Sequence, residues 1–114
     1  MIVTVPIRIE SVANLREPWQ QKARRNREQY TSVWYALKAA KFPYAVPCTV
    51  TLTRISPRPL DAHDNLPSSM KKIVDCIADW LDLNDNDPMV TWAYAQERGK
   101  PKEYALKVEV ECRS

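Results

Sequence analysis

Only one glycine, Gly99, occurs in 114 residues. Phosphate loops and dinucleotide folds need several glycines where backbone approaches a phosphate, so no nucleotide cofactor is expected. No run of 18 apolar residues is present, and the N-terminus reads as a strand interrupted by Arg8 and Glu10 rather than a signal peptide; no membrane partner is expected. Histidine occurs once, as His63, and a lone loop histidine is read as exposed and idle. Cysteine is scarce and odd in number: Cys48, Cys76 and Cys112 are widely spaced among apolar neighbours. Buried, reduced thiols in a cytoplasmic protein are expected, not disulfides or a zinc site.

Bulky residues and charge are abundant by contrast. Four Trp and five Tyr supply core material for a single domain over residues 1–114. The net charge of +3 conceals an asymmetry. Residues 16–41 hold seven Lys and Arg against two Glu, a net +5, while residues 61–87 hold two Lys against seven Asp, a net −5. In a polynucleotide hydrolase the first would hold phosphates and the second a metal. Two solvated helices that partly neutralise each other would show the same pattern.

The hydrophobic periodicity predicts the elements. Val3, Val5, Ile7 and Ile9 alternate in a strand over residues 2–9, with Pro6 pointing to a sheet edge. A helix follows from Pro18 to Lys41, with an inward stripe of Trp19, Ala23, Tyr30, Val33, Trp34 and Leu37. Pro43 and Pro47 bracket a loop. Val46, Cys48, Val50 and Leu52 open a second strand reaching Ile55. A second helix spans Leu66–Leu81, with Met70, Ile73, Val74, Ile77 and Leu81 inward and Lys71, Asp75 and Asp82 outward. Met89–Gln96 and Lys102–Cys112 read as a hairpin around Gly99. The fold class is α+β in the order β-α-β-α-β-β: a four-stranded mixed sheet with two helices on one face.

The chemistry concentrates at the second helix. Asp61 and Asp64 precede it; Asp85 and Asp87 follow it. Clustered carboxylates are costly without a cation, and their hard oxygens suit Mg²⁺ or Mn²⁺. Such an ion supplies charge neutralisation and an activated water for phosphodiester hydrolysis, and a nearby lysine stabilises the extra negative charge. A helix of this length is roughly 24 Å long, so the two pairs cannot meet by local folding. A shorter helix, loops folded back along it, or a symmetry mate would close the gap. A helix start with Asn65 as N-cap and Pro67 in the first turn explains the same residues. Asp82–Asp87 is no calcium loop, because its sixth position lacks Gly and its twelfth is Ala93. Lys71 and Asp75 stand at ion-pair spacing. Arg24, Arg25 and Arg27, with Lys72, are candidate phosphate contacts.

At Asp64-Asn65-Leu66, at Lys71 with Asp75 four residues later, and at Asp85/Asp87 before Val90, the chain resembles the RusA-type Holliday-junction resolvases. The phrase Asn86-Asp87-Pro88-Met89-Val90-Thr91-Trp92 looks like a phage or prophage subgroup of that family. The resemblance implies a Mg²⁺- or Mn²⁺-dependent endodeoxyribonuclease that acts on branched DNA as a homodimer in the cytoplasm of a bacterial host. It implies catalytic roles for Asp61, Asp64, Lys71 and Asp87, with Asp61, Asp64, Asp85 and Asp87 as the metal set. The family often has an acid two residues before the Asp-Asn-Leu aspartate, where this chain has Ala62. Some members carry the lysine where this chain has Ser68. A DNA-binding phage protein that does not cleave, and an interaction domain whose aspartates only cap a helix, are the competing readings.

Overall fold

The computed structural model describes residues 1–9, 18–42, 46–59 and 66–112. Its centre is β2 (Cys48–Ser56), whose Cys48, Val50 and Leu52 are fully buried. β3 (Val90–Arg98) pairs with β2 in parallel and β4 (Ala105–Cys112) pairs with it antiparallel on the other side. β1 (Ile2–Val5) pairs antiparallel with β4, giving the strand order β1-β4-β2-β3. β1 is an edge strand, as Pro6 suggested. It stops at Val5, short of the expected residue 9, because Pro6 has no N–H and Ile7 N–H folds back onto Val5 O at 2.8 Å.

The expected hairpin around Gly99 does not form. β3 and β4 lie on opposite sides of β2, so residues 99–104 cross the end of that strand, roughly two strand spacings or 10 Å. The physical reason is burial. β4 alternates Leu106, Val108 and Val110 into the core and takes an inner position, whereas β3 buries only Val90 and suits an edge. Gly99 makes the crossing possible. Its N–H donates to Ser56 O at 3.0 Å, and a Cβ there would meet Glu103 Oε1 at 2.8 Å and Ile55 Cγ2 at 3.1 Å.

Two helical segments cover one face of the sheet. α1 (Trp19–Ala39) buries Gln29, Val33 and Leu37 along one line, but Trp19 is 74% exposed and Ala23 is exposed too. The predicted inward stripe therefore holds only for the later turns. α1 is roughly 31 Å long and overhangs the shorter helix it packs on, so its first turns have little to bury against. The second helix is broken: α2 (Leu66–Ser69) and α3 (Lys71–Trp80) are separated by Met70 at φ −98°, ψ 1°. Ser69 Oγ donates to Leu66 O at 2.7 Å and Met70 N–H to Pro67 O at 3.1 Å, a tightened turn that interrupts the α ladder. Met70, Ile73, Val74, Ile77 and Leu81 are buried as predicted.

Both long helices end without glycine. Lys41 (φ 55°) and Asp82 (φ 56°) occupy the left-handed position of Schellman motifs. Phe42 N–H reaches Leu37 O at 2.9 Å, and Leu83 N–H reaches Ala78 O at 3.0 Å. An aromatic set ties the helices together. Trp34 meets Trp80 edge-on at 5.0 Å, Tyr30 stacks on Trp34 at 6.3 Å, and Trp80 Nε1 donates to Phe42 O at 3.2 Å. No described helix is long and apolar enough to cross a membrane.

Candidate functional site

The helix pair builds two surfaces of opposite charge that meet at one residue. Between the first turns of α1 and the start of α3 lies a cleft of about 380 Å³ lined by Lys22, Arg25, Asn26, Gln29, Ser69, Lys71 and Lys72. α3 restarts after Met70 with two consecutive lysines, and both line the cleft. Past Lys72 the surface turns acidic. A groove of about 350 Å³ is lined by Tyr30, Lys72, Asp75, Asp79, Asn84 and Asp85. It is followed by a depression that Asp79, Asp82, Asn84 and Asp87 share.

Lys72 lies on the line between the two, and its Nζ stands 3.8 Å from Asp75 Oδ2. The expected pairing of Asp75 with Lys71 is thus made by the next lysine, at i, i+3. Lys71 is exposed and lines the basic cleft instead. Of the predicted phosphate contacts, Arg25 and Lys72 come together in the cleft. Arg27 shares a shallower hollow with Lys72 and Tyr30. Arg24 stands apart in solvent, its Nε 3.9 Å from Glu28 Oε1.

In the acidic groove, Tyr30 Oη donates to Asp79 Oδ2 at 2.6 Å. That bond holds the phenol proton and pushes the Tyr30 pKa up from 10.0 to about 12, with burial and the Asp79 charge adding to it. Behind it, Cys76 is buried and its Sγ donates to Tyr30 O at 3.4 Å. Burial first, and then Asp79, push this thiol from 9.0 to about 12. In the sequence Asp79 is not singled out, and Tyr30 stands only in the inward stripe of the first helix. The i, i+4 spacing of Asp75 and Asp79 was the available signal for the first, whereas a contact across 49 residues had none.

Asp85 and Asp87 occupy the turn between α3 and β3. Asp85 uses its backbone carbonyl, which accepts Trp92 Nε1–H at 2.7 Å. The Asp85 charge, after burial, also raises the Tyr94 pKa. Asp87 uses its side chain: Oδ1 accepts Met89 N–H at 2.9 Å, while its own N–H donates to Asn84 O at 3.0 Å. This is an aspartate-stabilised turn that fixes the entry to β3. Asp61, His63, Asp64 and the proposed cap Asn65 lie outside the described residues, as do Ala62 and Pro43. Among the described residues, no three His, Cys, Asp or Glu side chains gather closely enough to hold a metal ion. Asp85 and Asp87 alone therefore do not make the metal cage expected of the full set. The cysteines also differ from expectation in one respect: Cys48 and Cys76 are buried, but Cys112 is exposed.

No protein-family model matches this sequence, and no curated protein matches it. Among solved structures there is a likeness to 2C-methyl-D-erythritol-2,4-cyclodiphosphate synthase, at 16% identity and a TM-score of 0.36, over 71% of this chain. The matched region spans 49% of that protein's chain. At that score the likeness carries no functional argument.

Proposed function

We propose that this chain is a metal-dependent, structure-selective endodeoxyribonuclease that acts on branched DNA, in the manner of the resolvases its sequence resembles. The observation that carries the reading is the contiguity of the basic cleft and the acidic groove at Lys72. A phosphodiester backbone held by Arg25, Lys71 and Lys72 would pass directly to the carboxylates beyond. The described aspartates do not by themselves fit a Mg²⁺ or Mn²⁺ ion, so the reading requires Asp61 and Asp64 as ligands alongside Asp85 and Asp87. Homodimerisation, a phage or prophage origin and work in a bacterial cytoplasm belong to the same proposal.

DNA binding without cleavage is the second reading. It is favoured by the Asp87 carboxylate, which is already engaged in shaping its own turn. The deciding experiment presents a labelled synthetic four-way junction to the protein with and without Mg²⁺ or Mn²⁺. Metal-dependent nicks placed symmetrically across the junction, and absent in Asp64→Asn, support the nuclease. Tight, salt-sensitive binding with no nick under any metal supports the binding protein.

A further inference from the structure

Cys48 and Cys112 are exact register partners on β2 and β4. The hydrogen bonds around them fix which kind of antiparallel pair they form. Along a strand, the N–H and C=O of one residue point to the same side, and the side alternates from residue to residue. Val110 N–H donates to Met1 O at 3.0 Å and Val110 O accepts the Met1 amino group at 3.2 Å, so Val110 turns its backbone toward β1. Cys112, two residues on, has the same orientation. From the other strand, Cys48 N–H donates to Met89 O at 2.9 Å and so faces β3. Neither cysteine directs its backbone at the other. The pair is therefore of the non-hydrogen-bonded kind, with Cα atoms about 4.5 Å apart and side chains on the same face.

That separation falls at the narrow end of the range a disulfide can span, roughly 4.4–6.8 Å. A bridge there is formable, and with Cys112 exposed it stays open to reduction, which is the property of reversible bridges rather than structural ones. Access is also arranged for it: Cys112 is exposed at the end of the sheet, while Cys48 is 0% exposed beside it. The third thiol, Cys76, sits on α3 with its proton on Tyr30 O.

We propose that Cys48 and Cys112 are a dithiol modification site that a low-molecular-weight disulfide such as oxidised glutathione closes into a cross-strand bridge. The Cys112 thiolate attacks one sulfur of the oxidant and expels one glutathione thiolate. Cys48 then gives up its proton, and its sulfur attacks Sγ of Cys112 in the mixed disulfide, expelling the second glutathione. Two protein thiols are oxidised and one glutathione disulfide is reduced to two thiols. The buried partner needs no access to the oxidant, because its step is intramolecular. The bridge closes next to the Asp87 turn, whose Met89 carbonyl is bonded to Cys48.

The test is to incubate the full chain with oxidised glutathione, block remaining thiols, and digest with trypsin without reduction. The expected result is a peptide 42–54 joined to a peptide 108–113, with titratable thiols falling from three to one and returning to three with dithiothreitol. Cys112→Ser, at an exposed position, should leave Cys48 without linkage or glutathione. Cys76→Ser should bridge like the parent. A glutathione adduct that persists on Cys112, a link through Cys76, or a Cys112–Cys112 dimer would each overturn the assignment.

Discussion

Replacing Asp87 by alanine and by asparagine separates its structural role from a chemical one. Its Oδ1 accepts Met89 N–H at 2.9 Å, with further backbone bonds on either side, from Asp87 N–H to Asn84 O and from Val90 N–H to Asp87 O at 3.1 Å. A hydrogen bond of this kind at a solvent-reached turn contributes a net of about 1 kcal/mol. Asp87→Ala removes the acceptor and should cost about that much. In a chain of this size, that lowers Tm by about 4 °C. Asp87→Asn keeps an oxygen at the same place, so its cost should stay below that of alanine. Urea unfolding followed by tryptophan fluorescence measures both, and Trp92, whose indole is bonded to Asp85 O, reports on the turn itself. If Asp87 also ligates a catalytic metal, both variants lose junction cleavage, although alanine loses more stability. Equal destabilisation by Asn and Ala would refute the turn argument. Full cleavage by Asp87→Asn would remove Asp87 from the metal set.

The remaining expectations are independent of one another. Asp82→Gly and Lys41→Gly should each stabilise the protein by roughly 0.5 kcal/mol, since each relieves a side chain at positive φ, less the added freedom of the unfolded chain; a midpoint lowered in urea would contradict it. Tyr30 has a folded pKa of about 12 against an ordinary 10.0, so its bond to Asp79 contributes fully below pH 10 and is lost as pH rises toward 12. Tyr30→Phe should therefore be less stable than the parent at neutral pH and lose less further stability across that window, as urea melts at several pH values would show. Arg25→Ala and Lys72→Ala should weaken DNA binding and each reduce the salt slope by about 1, whereas Arg24→Ala, outside the cleft, should leave the slope unchanged.

Much of the fold is legible in the sequence because its core signals are local. Val50, Leu52, Leu106, Val108 and Val110 alternate as strands must, and Ile73, Val74 and Ile77 recur as a helix face must. What misleads is pairing. Nothing in the stretch from Met89 to Cys112 says that β2 will stand between its two strands, because insertion depends on how much apolar surface each strand has to bury against its neighbours. The break at Met70 was likewise hidden, since its apolar residues keep step through it while Ser69 and Pro67 redirect the backbone. The candidate site shows the same limit. Arg25 and Lys72 could be named one by one, but their meeting in a cleft depends on α1 crossing α3.

Sheet polarity sharpens the question of how a metal site could close. β2 and β3 are parallel, so the chain between them must return from the C-terminal end of one to the N-terminal start of the other. Asp85 and Asp87 stand after α3, just before the N-terminal start of β3. The unbroken helix before them, α3, covers only roughly 15 Å at helical rise. If all four aspartates serve one metal centre, its ligands come either from one chain or from two. Mixing Asp64→Asn with Asp87→Asn tests this directly. In a mixed dimer, a site shared between subunits leaves one centre fully mutated and the other fully intact, so nicking should recover to roughly a quarter of the parent level. Sites built within each subunit are all damaged, and the mixture stays as inactive as either variant alone. Recovery after co-refolding but not after simple mixing would still count for the shared site, because it shows that subunits must exchange. No recovery by either route, with mixed dimers confirmed by mass, would confine the metal set to one chain.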